Sequence, residues 1–342
     1  MTTRRPRSAG KGRVTMHDVA QRAGVSAITV SRALRTPHKV APELRARIEA
    51  ACAEMGYVIN HAASALASAR SRIVVALIPA LSNVVFIDIL TGLKEVFDEH
   101  GYHLLIGVTG YSPAAEETQL RAYLRHAPDG LVLTGIDHTP GVWDMLRRHH
   151  IPAVHTIENL PEGDPGMSVG FSQFDSGHAA GRHLIARGYR RIGIVGAQLD
   201  PRSLRRCEGC RQALREAGLH DPGLEIMTPR KSSIALGAEL LRQLVQAHPD
   251  CDGVFFCNDD LAQGAVSESA RLGIKVPEAL GLVGYHDLAG SAWTHPPLST
   301  IRTPRYQIGR VAAQLLMEQL QGHPPGQGRV DLGFELLQRQ TS

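Results

Sequence analysis

The sequence has no long hydrophobic runs and few cysteines, and its first residues do not have the pattern of a leader segment. Among its 342 residues, no apolar run approaches the roughly 20 residues that a membrane-spanning helix needs. The first residues, MTTRRPRSAGKGR, are basic but lead into no apolar stretch, so we expect no signal peptide and a cytoplasmic location. The cysteines number only five, which is odd, and we expect them to be reduced thiols.

Signatures of catalysis and metal binding are also scarce. The chain contains no P-loop, no H-E-x-x-H and no G-x-G-x-x-G pattern. Cys207 and Cys210 form a C-x-x-C pair, but no second pair or nearby histidine completes a zinc site. Packed positions on a helix are therefore the preferred interpretation of this pair. We expect a protein without enzyme activity, metal or cofactor.

Positive charge is concentrated at one end of the chain. Residues 1–72 contain 13 Lys and Arg against 4 Asp and Glu, a net charge of +9. The remaining 24 basic and 29 acidic residues give a net charge of −5, which the formal total of +4 conceals. A basic head on an acidic body indicates a nucleic-acid contact that is confined to the head.

Residues 15–34, TMHDVAQRAGVSAITVSRAL, predict two short helices joined by a tight turn. Thr15 followed three residues later by Asp18 is a typical helix start. Gly24 can adopt the left-handed conformation that ends this helix, and Ser26 can cap a second helix. The second helix presents short, mostly uncharged side chains and one guanidinium, which suit the major groove of DNA. A helix-turn-helix is therefore predicted, although a plain helical hairpin shows similar apolar spacing.

This stretch, followed by a helix ending in AEMGY and then by Asn60 and Leu66, resembles the DNA-binding head of the LacI/GalR family of repressors. Within that family, SAITVSRAL, VGF at residues 169–171 and LTGIDHTP are most similar to the gluconate-utilisation repressors. The resemblance and the helix-turn-helix together predict the DNA-contacting residues Thr15, Ser26, Ala27, Ile28, Thr29, Ser31, Arg32, Arg35, Asn60, Ala63 and Leu66.

Residues 61–71 are rich in alanine and serine and contain one large apolar side chain, Leu66. The resemblance implies a hinge helix that folds on DNA and inserts Leu66 into the minor groove, which kinks the duplex. A plain linker is the alternative. Ile59 stands where the family often has a proline before Asn60, which leaves the start of this helix open.

From residue 72 onward, short apolar runs such as IVVALIPA, DGLVLTG, RIGIVGA and DGVFFCND alternate with amphipathic helices. This alternation predicts parallel sheets that are covered on both faces, and two sets of runs predict two lobes. The resemblance implies the periplasmic-binding-protein-like fold that follows the DNA-binding head in this family. The expected fold class is α/β, with an N-terminal helix-turn-helix domain and a two-lobed domain of parallel sheets.

The expected boundaries divide the chain into four parts. These are a basic arm that is disordered when free (1–14), the helix-turn-helix domain (15–60), the hinge (61–71), and the effector-binding and dimerisation domain (72–342). Lobe 1 is expected over about 72–167 and 299–325, and lobe 2 over about 168–298 and the C-terminal segment.

Open parallel sheets bind ligands beyond the carboxyl ends of their strands, which here predicts a site in the cleft between the lobes. By resemblance and by position near strand ends, the expected effector-binding residues are Phe86, Thr134, Asp200, Arg202, Arg206, Asn258, Asp259 and His286. Asn258 and Asp259 suit a sugar hydroxyl. A carboxylate at this position could also act as a base, but no nucleophile or partner acid accompanies it.

Two arginines and one histidine indicate an acidic ligand. Arg202 and Arg206 suit a carboxylate or a phosphate, which guanidinium groups bind through paired hydrogen bonds. Alternatively, one of them pairs with Asp200 or Asp259. His286 stands where many family members have an acidic residue, so an anion is lost from the cleft, although a core histidine is an equal alternative. Arg202 lies nearer the strand end and is expected to contribute more than Arg206.

These observations predict a repressor that binds palindromic double-stranded operator DNA as a homodimer and responds to a sugar acid such as gluconate or a ketogluconate. The effector is expected to act allosterically, by closing the lobes and loosening the hinge helices. The alternatives are a phosphorylated-sugar or purine effector, an enzyme acting on a sugar acid, and a free solute-binding protein. The missing nucleophile and the helix-turn-helix count against the enzyme, and the expected lack of a signal peptide and the basic head count against the solute-binding protein.

Overall fold

The computed structural model describes residues 14–35, 39–57, 70–323 and 326–342. The chain divides into two compact units, Met1–Ser71 and Arg72–Ser342. The arm before Val14 and the hinge residues Asn60, Ala63 and Leu66 lie outside the described residues, so their expected roles stay predictions. In the described part of the chain, no helix is both long enough and apolar enough to cross a bilayer.

Three helices form the described part of the first unit: α1 (Met16–Ala23), α2 (Ala27–Arg35) and α3 (Pro42–Met55). α1 begins with a capping box, in which the Asp18 amide donates to Thr15 Oγ1 over 3.3 Å and the Thr15 amide donates to Asp18 Oδ2 over 2.8 Å. Gly24, with a φ of 65°, ends α1 in the left-handed conformation. The sequence predicted both features.

Small aliphatic residues hold these three helices together. The buried core consists of Val19, Ala20, Ala23, Val30, Ala33, Ile48 and Ala51. On the surface, Arg22 of α1 pairs with Glu54 of α3 at 2.7 Å. Because this pair is exposed, it adds little to stability, and the apolar core determines how the helices pack.

Two six-stranded sheets organise the second unit. The first sheet, which defines lobe 1, contains β1 (Ile73–Ile78), β2 (His103–Val108), β3 (Gly130–Thr134), β4 (Ala153–Ile157), β5 (Met167–Gly170) and β11 (Arg329–Asp331). Its strands are parallel and lie in the order β11-β5-β4-β3-β1-β2.

The second sheet, which defines lobe 2, contains β6 (Ile192–Ala197), β7 (Glu225–Thr228), β8 (Gly253–Phe256), β9 (Gly281–His286), β10 (Ser299–Arg302) and β12 (Glu335–Leu337). The strand order is β12-β10-β9-β8-β6-β7. All neighbours are parallel except β10 and β12, which are antiparallel.

Helices cover both sheets. Lobe 1 has α4 (Val84–Glu99), α5 (Pro113–Tyr123), α6 (Pro140–His149) and α11 (Arg305–Leu320). Lobe 2 has α7 (Gln173–Ala186), α8 (Pro201–Glu216), α9 (Ile234–Ala247) and α10 (Asp259–Leu272). Short 3₁₀ turns occur at Leu124–His126, Pro222–Leu224 and Ala289–Trp293. The main helix pairs are α4 with α11, α7 with α8, and α9 with α10.

Alternate residues of β1 contribute to different hydrophobic clusters. Val74 and Ala76 belong to the large cluster that extends through both lobes, whereas Val75 and Leu77 belong to a separate cluster with residues of α5 and α6. Both faces of the strand are therefore buried, which explains why its sequence is apolar throughout instead of alternating.

The chain passes between the lobes three times: after β5, after β10 and after β11. This differs from the expected boundaries at residues 168 and 299. β5 extends lobe 1 to Gly170, β10 pairs with β9 in lobe 2, and only the following helix α11 returns to lobe 1. The C-terminal segment is shared, because β11 pairs with β5 and β12 pairs with β10. A short apolar run can extend either sheet, so its sequence does not determine its lobe.

Two glycines allow α7 and α8 to approach each other closely. A Cβ atom on Gly177 of α7 would lie 1.8 Å from the carbonyl oxygen of Arg206 in α8. A Cβ atom on Gly209 of α8 would lie 1.9 Å from the carbonyl oxygen of Phe174 in α7. A larger residue at either position forces the helices apart, and any such movement displaces Arg206.

Gly177→Ala should lower the free energy of unfolding by about 1–3 kcal/mol, because the new methyl group overlaps a backbone oxygen. The matched control is Gly181→Ala on the same helix, where a Cβ atom would meet its nearest neighbours at 2.9 Å or more. Both changes raise helix propensity equally, so their difference reports the additional overlap at Gly177. Urea unfolding followed by circular dichroism measures both, and equal costs would contradict the close approach at Gly177.

Candidate functional site

The outer face of α2 presents the residues that the sequence predicts to contact DNA. Ile28 is 72% exposed, and Arg32 is also exposed. The half-buried members of the set are Ala27, Thr29 and Ser31. The Ser26 and Thr29 hydroxyl oxygens lie 2.9 Å apart, and Ser26 Oγ accepts the Thr29 amide over 3.2 Å, which caps the helix. This face offers one protruding aliphatic group, hydroxyls and a guanidinium, the groups that contact base edges.

Thr15 and Arg35 complete the described part of this set. The Thr15 hydroxyl donates to Asp18 Oδ2 over 2.7 Å, so it also stabilises the start of α1. Arg35 is the last residue of α2, and its side chain lies outside the described part of the structure.

Three adjoining cavities of about 190, 30 and 150 Å³ lie in the cleft between the lobes. They are lined at the carboxyl ends of strands from both sheets: Thr134 is the last residue of β3, Ile157 of β4 and His286 of β9. This is where open parallel sheets bind their ligands.

Most of the predicted effector-binding residues meet in this cleft. The 30 Å³ cavity is lined by Phe86, Asp200, Arg202, Arg206, Asn258 and His286. Thr134 lines the 190 Å³ cavity, where its hydroxyl donates to the Leu77 carbonyl over 3.0 Å. Phe86 is only 3% exposed and forms an apolar wall.

Asp259 is the exception, and its expected place in the cleft is wrong. Its carboxylate is fully buried and accepts three hydrogen bonds, from the Leu288 amide at 2.7 Å and from the Ser291 and Thr300 hydroxyls at 2.6 Å each. It fastens α10 to β10 and to the loop after β9, and burial raises the pKa of Asp259. Asp260 lines the 150 Å³ cavity instead, because successive residues of a helix point about 100° apart.

Arg202 is paired with carboxylates from both lobes. Its Nε lies 3.1 Å from Asp200, and its Nη1 lies 3.2 Å from Asp137 and 3.9 Å from Glu158. Burial alone would raise the pKa of Asp200, but Arg202 and Arg206 hold it below its usual value. The charge of Arg202 is therefore compensated within the protein.

Arg206 lies in a different environment, although it is only one helical turn from Arg202. α8 begins at Pro201, so both arginines belong to one helix. Arg206 is 3% exposed, and its Nη1 donates to the Cys257 carbonyl at 2.8 Å and to Asn258 Oδ1 at 3.2 Å. Its guanidinium lies 4.0 Å from the centroid of the Tyr285 ring. Within the described residues, no carboxylate lies at salt-bridge distance from Arg206.

His286 contributes an acceptor to Arg206 instead of a negative charge. Burial, together with the nearby Arg206 and Arg305, lowers the pKa of His286 well below its usual value, so the ring is neutral. Its Nε2 lies 3.0 Å from Arg206 Nη1, which is a donor, so the ring proton resides on Nδ1. Nδ1 then donates to Thr303 Oγ1 over 3.2 Å. The buried guanidinium keeps its net positive charge in the cleft.

Several residues that line or shape the cleft were not predicted from the sequence: Tyr111, Asp137, Glu158, Gln198, Lys231 and Asp260. Glu158 directly follows β4, and Gln198 directly follows β6. Their position directly after an apolar run is the sequence signal for these two residues. Lys231 belongs to a loop whose path no local pattern predicts.

Residues 166–170, GMSVG, match the G-x-S-x-G spacing that surrounds the nucleophile of many hydrolases. Ser168 is fully buried within β5, and its hydroxyl accepts the Leu160 amide over 3.1 Å, so it is not placed as a nucleophile. Cys207 and Cys210 are buried on α8, as predicted. Among the residues that the structure describes, no group of three or more His, Cys, Asp or Glu is arranged to hold a metal ion.

Known proteins resemble the chain over nearly its whole length. The family model for bacterial regulatory proteins of the lacI family matches residues 15–60, and that for a periplasmic binding protein-like domain matches residues 182–342. The HTH-type transcriptional regulator GntR of Pseudomonas aeruginosa is 50% identical over 331 residues, which cover 97% of this chain and 96% of that protein.

Solved structures agree with these matches. The crystal structure of the transcription regulator GntR from Chromobacterium violaceum is 46% identical with a TM-score of 0.77, covering 79% of this chain and 99% of that one. The lac repressor dimer bound to operator and the anti-inducer ONPF is 25% identical with a TM-score of 0.82, covering 96% and 99%. The chain therefore belongs to the LacI family of bacterial DNA-binding transcriptional regulators and is not an enzyme.

Proposed function

We propose that the protein is a cytoplasmic transcriptional repressor whose operator binding is controlled by a sugar acid, gluconate or a ketogluconate, held between the two lobes. The observation that carries this proposal is Arg206, a buried guanidinium that lines the cleft without a carboxylate partner in the described part of the chain. A ligand that brings its own carboxylate supplies the missing negative charge.

A carboxylate ligand would complete the surroundings of Arg206. Removing a guanidinium from water costs free energy unless hydrogen-bond acceptors and an anion compensate for it. Nη1 of Arg206 has three acceptors, but none of the described hydrogen bonds uses Nη2. Neutral His286 adds an acceptor without adding charge. An acidic ligand fits this environment, whereas a neutral sugar leaves the charge unbalanced.

Side-chain oxygens in the same cleft suit the hydroxyl groups of such a ligand. Asp137, Asp200 and Asn258 line the cavities, and their oxygens can accept hydrogen bonds from sugar hydroxyls. Phe86 and Tyr111, whose ring centroids lie 6.4 Å apart in an edge arrangement, provide an apolar wall.

A phosphorylated sugar is the alternative effector, because a phosphate also forms paired hydrogen bonds with a guanidinium. A purine fits less well. Ser232 lines the 150 Å³ cavity where an aromatic ring would be needed to stack on a base, and a hydroxyl group cannot stack.

Control of DNA binding requires two states of the protein. In lobe 2, Arg202 reaches Asp137 and Glu158 of lobe 1, so the two lobes already share ionic contacts. An effector that contacts both lobes shifts the equilibrium by the ratio of its affinities for the closed and open states. In a homodimer, the accompanying shift separates the two hinge segments, and the operator loses its minor-groove contacts.

Arg32→Ala should weaken operator binding by about five- to a hundredfold, because a base contact by arginine contributes roughly 1–3 kcal/mol. Gluconate binding should be unchanged. Arg271→Ala is the charge-matched control, since it removes an arginine whose side chain is 76% exposed on lobe 2. Fluorescence anisotropy with an operator fragment at fixed salt measures both variants. An equal loss in the control would show that total charge, and not α2, determines binding.

Arg206→Ala should weaken gluconate binding by about ten- to a hundredfold, because charged hydrogen bonds contribute roughly 1.5–3 kcal/mol each. Arg206→Lys should be intermediate, since it keeps the charge but loses the paired donors. Calorimetry with gluconate, 2-ketogluconate, phosphogluconate and glucose compares the ligand classes. If glucose binds the wild-type protein as tightly as gluconate, the sugar-acid proposal fails.

Arg202→Ala serves as a contrast, and it reverses the ranking that the sequence suggested. Removing Arg202 leaves Asp137, Asp200 and Glu158 close together without their shared cation. We therefore expect a lower melting temperature before any specific loss of gluconate contacts. A variant that stays as stable as the wild type and loses gluconate binding would restore Arg202 as the main ligand contact.

His286→Asp should shift the preference away from acids, because the new carboxylate would lie beside Arg206 and neutralise it. Gluconate affinity should fall at least about tenfold, while glucose affinity should hold or rise. His286→Asn is the matched control, since it changes the ring without adding charge. Calorimetry on both variants separates charge from shape. Equal losses in the two variants would mean that the shape of His286, and not its neutrality, is what matters.

A further inference from the structure

Lys231 places another cation at the cleft. It lies in the loop between β7 and α9 and lines the 150 Å³ cavity together with Asn83, Asn258 and His286. Its Nζ donates to Ser82 Oγ in lobe 1 over 2.9 Å, so this lobe 2 side chain reaches across to the opposite lobe. An ammonium group has three N–H donors, and this contact uses one.

The cations of the cleft differ in how their charges are compensated. Arg202 is surrounded by three carboxylates, and Arg206 is buried among protein acceptors and the Tyr285 ring. Lys231 is exposed, and within the described ranges no carboxylate lies at salt-bridge distance from its Nζ. It is therefore the cleft cation that can change partners at the lowest cost.

A continuous set of hydrogen bonds joins the surroundings of Arg206 and Lys231. Arg206 donates to Asn258 Oδ1, and Asn258 Nδ2 donates over 3.3 Å to Ser232 Oγ, the residue next to Lys231. Asn258 and His286 line both the 30 and the 150 Å³ cavities. A ligand that fills the two cavities therefore contacts Asn258 and His286 and lies close to both Arg206 and Lys231.

One carboxyl group, Asp260, also faces the cavity of Lys231. Its Oδ1 accepts the Ser232 hydroxyl over 2.6 Å and the Leu261 amide over 2.9 Å, and burial raises the pKa of Asp260. Oδ1 of Asp260 is thus already occupied by neutral donors, and the described contact of Lys231 is with Ser82 and not with this carboxyl group.

Arg230, the residue before Lys231, behaves differently. Its guanidinium forms two hydrogen bonds with Glu239, at 2.6 and 2.8 Å, on the exposed surface. Neighbouring cations of the same loop therefore have separate roles, which makes Arg230 a control of equal charge and nearly equal position.

Resting on the proposed sugar-acid effector, we infer that Lys231 is a specificity-determining residue that binds the effector's anionic group together with Arg206, exchanging Ser82 for that group when the ligand enters. Ser82 holds the ammonium group near its binding position before the ligand arrives. The bound anionic group then contacts both the buried Arg206, which stays in place, and the exposed Lys231, which changes partner. A neutral sugar gains nothing from this exchange, because it offers no better acceptor than the Ser82 hydroxyl.

The test compares gluconate with gluconamide, a neutral analogue of nearly the same shape, by calorimetry on the full-length protein. Lys231→Met should lower the preference for the acid over the amide by about tenfold, because one charged hydrogen bond is lost. Lys231→Arg should retain most of that preference. Arg230→Met should leave it unchanged. Melting temperatures of the variants should match the wild type, since both side chains are exposed.

Ser82→Ala distinguishes ligand binding from a contact that merely joins the lobes. It removes the competing acceptor, so gluconate should bind as tightly as before or more tightly. Equal losses in Ser82→Ala and Lys231→Met would overturn the inference in favour of the bond between the lobes. If the wild type prefers the acid and Lys231→Met keeps that whole preference, the role of Lys231 is wrong while the proposed function stands. A wild type that binds both ligands equally would refute the proposed function itself.

Discussion

The constraint on which the structure of the cleft depends is Arg206, a buried guanidinium that has no carboxylate partner among the residues the structure describes. Arg206 can occupy its position only because the surrounding groups compensate it without neutralising it. The Tyr285 ring lies against it, and the hydroxyl of that tyrosine lies 2.6 Å from Ser176 Oγ on α7. Gly177, the next residue of α7, is one of the two glycines that allow α7 and α8 to approach each other closely. The contact between α7 and α8 therefore positions both the Tyr285 ring and the Arg206 guanidinium that lies over it.

The surroundings of Arg206 extend from there into lobe 1. His286 accepts from Arg206, and the backbone carbonyl of His286 accepts from Arg305. Arg305 in turn donates to Asp88 of α4 over 2.8 Å. His286 also adopts a φ of 109°, which is unfavourable for a residue with a side chain, so its backbone is held by its neighbours. A ligand that moves Arg206 or His286 thus acts on groups that are bonded to both lobes.

Local structure followed from the sequence, whereas the choice of partners did not. The capping box of Thr15 and Asp18 and the turn at Gly24 depend on residues within one helical turn, and the pattern predicted them. Whether an arginine is neutralised depends on side chains far away in the chain. Asp137 precedes Arg202 by 65 residues, and no pattern near Arg202 announces that contact.

The difference between Asp259 and Asp260 is of the same kind. Both carboxyl groups begin one helix, and only the rotation of that helix against β10 decides which is buried by Ser291 and Thr300. The resemblance to a known family predicted most of the residues that line the cleft. It did not predict which of their side chains are charged, neutral or paired within the protein. Those states depend on the packing of two sheets against each other.

The three passages of the chain between the lobes have a consequence for how the protein can be divided. Neither lobe is a contiguous stretch: lobe 1 is assembled from two segments and lobe 2 from two. A single cut in the chain, or an exchange of one half with that of a relative, therefore leaves strands of one sheet on the wrong fragment. To exchange one complete lobe with that of a relative, the two chains must be joined at all three passages. The two lobes are therefore difficult to exchange separately, even though each has its own sheet.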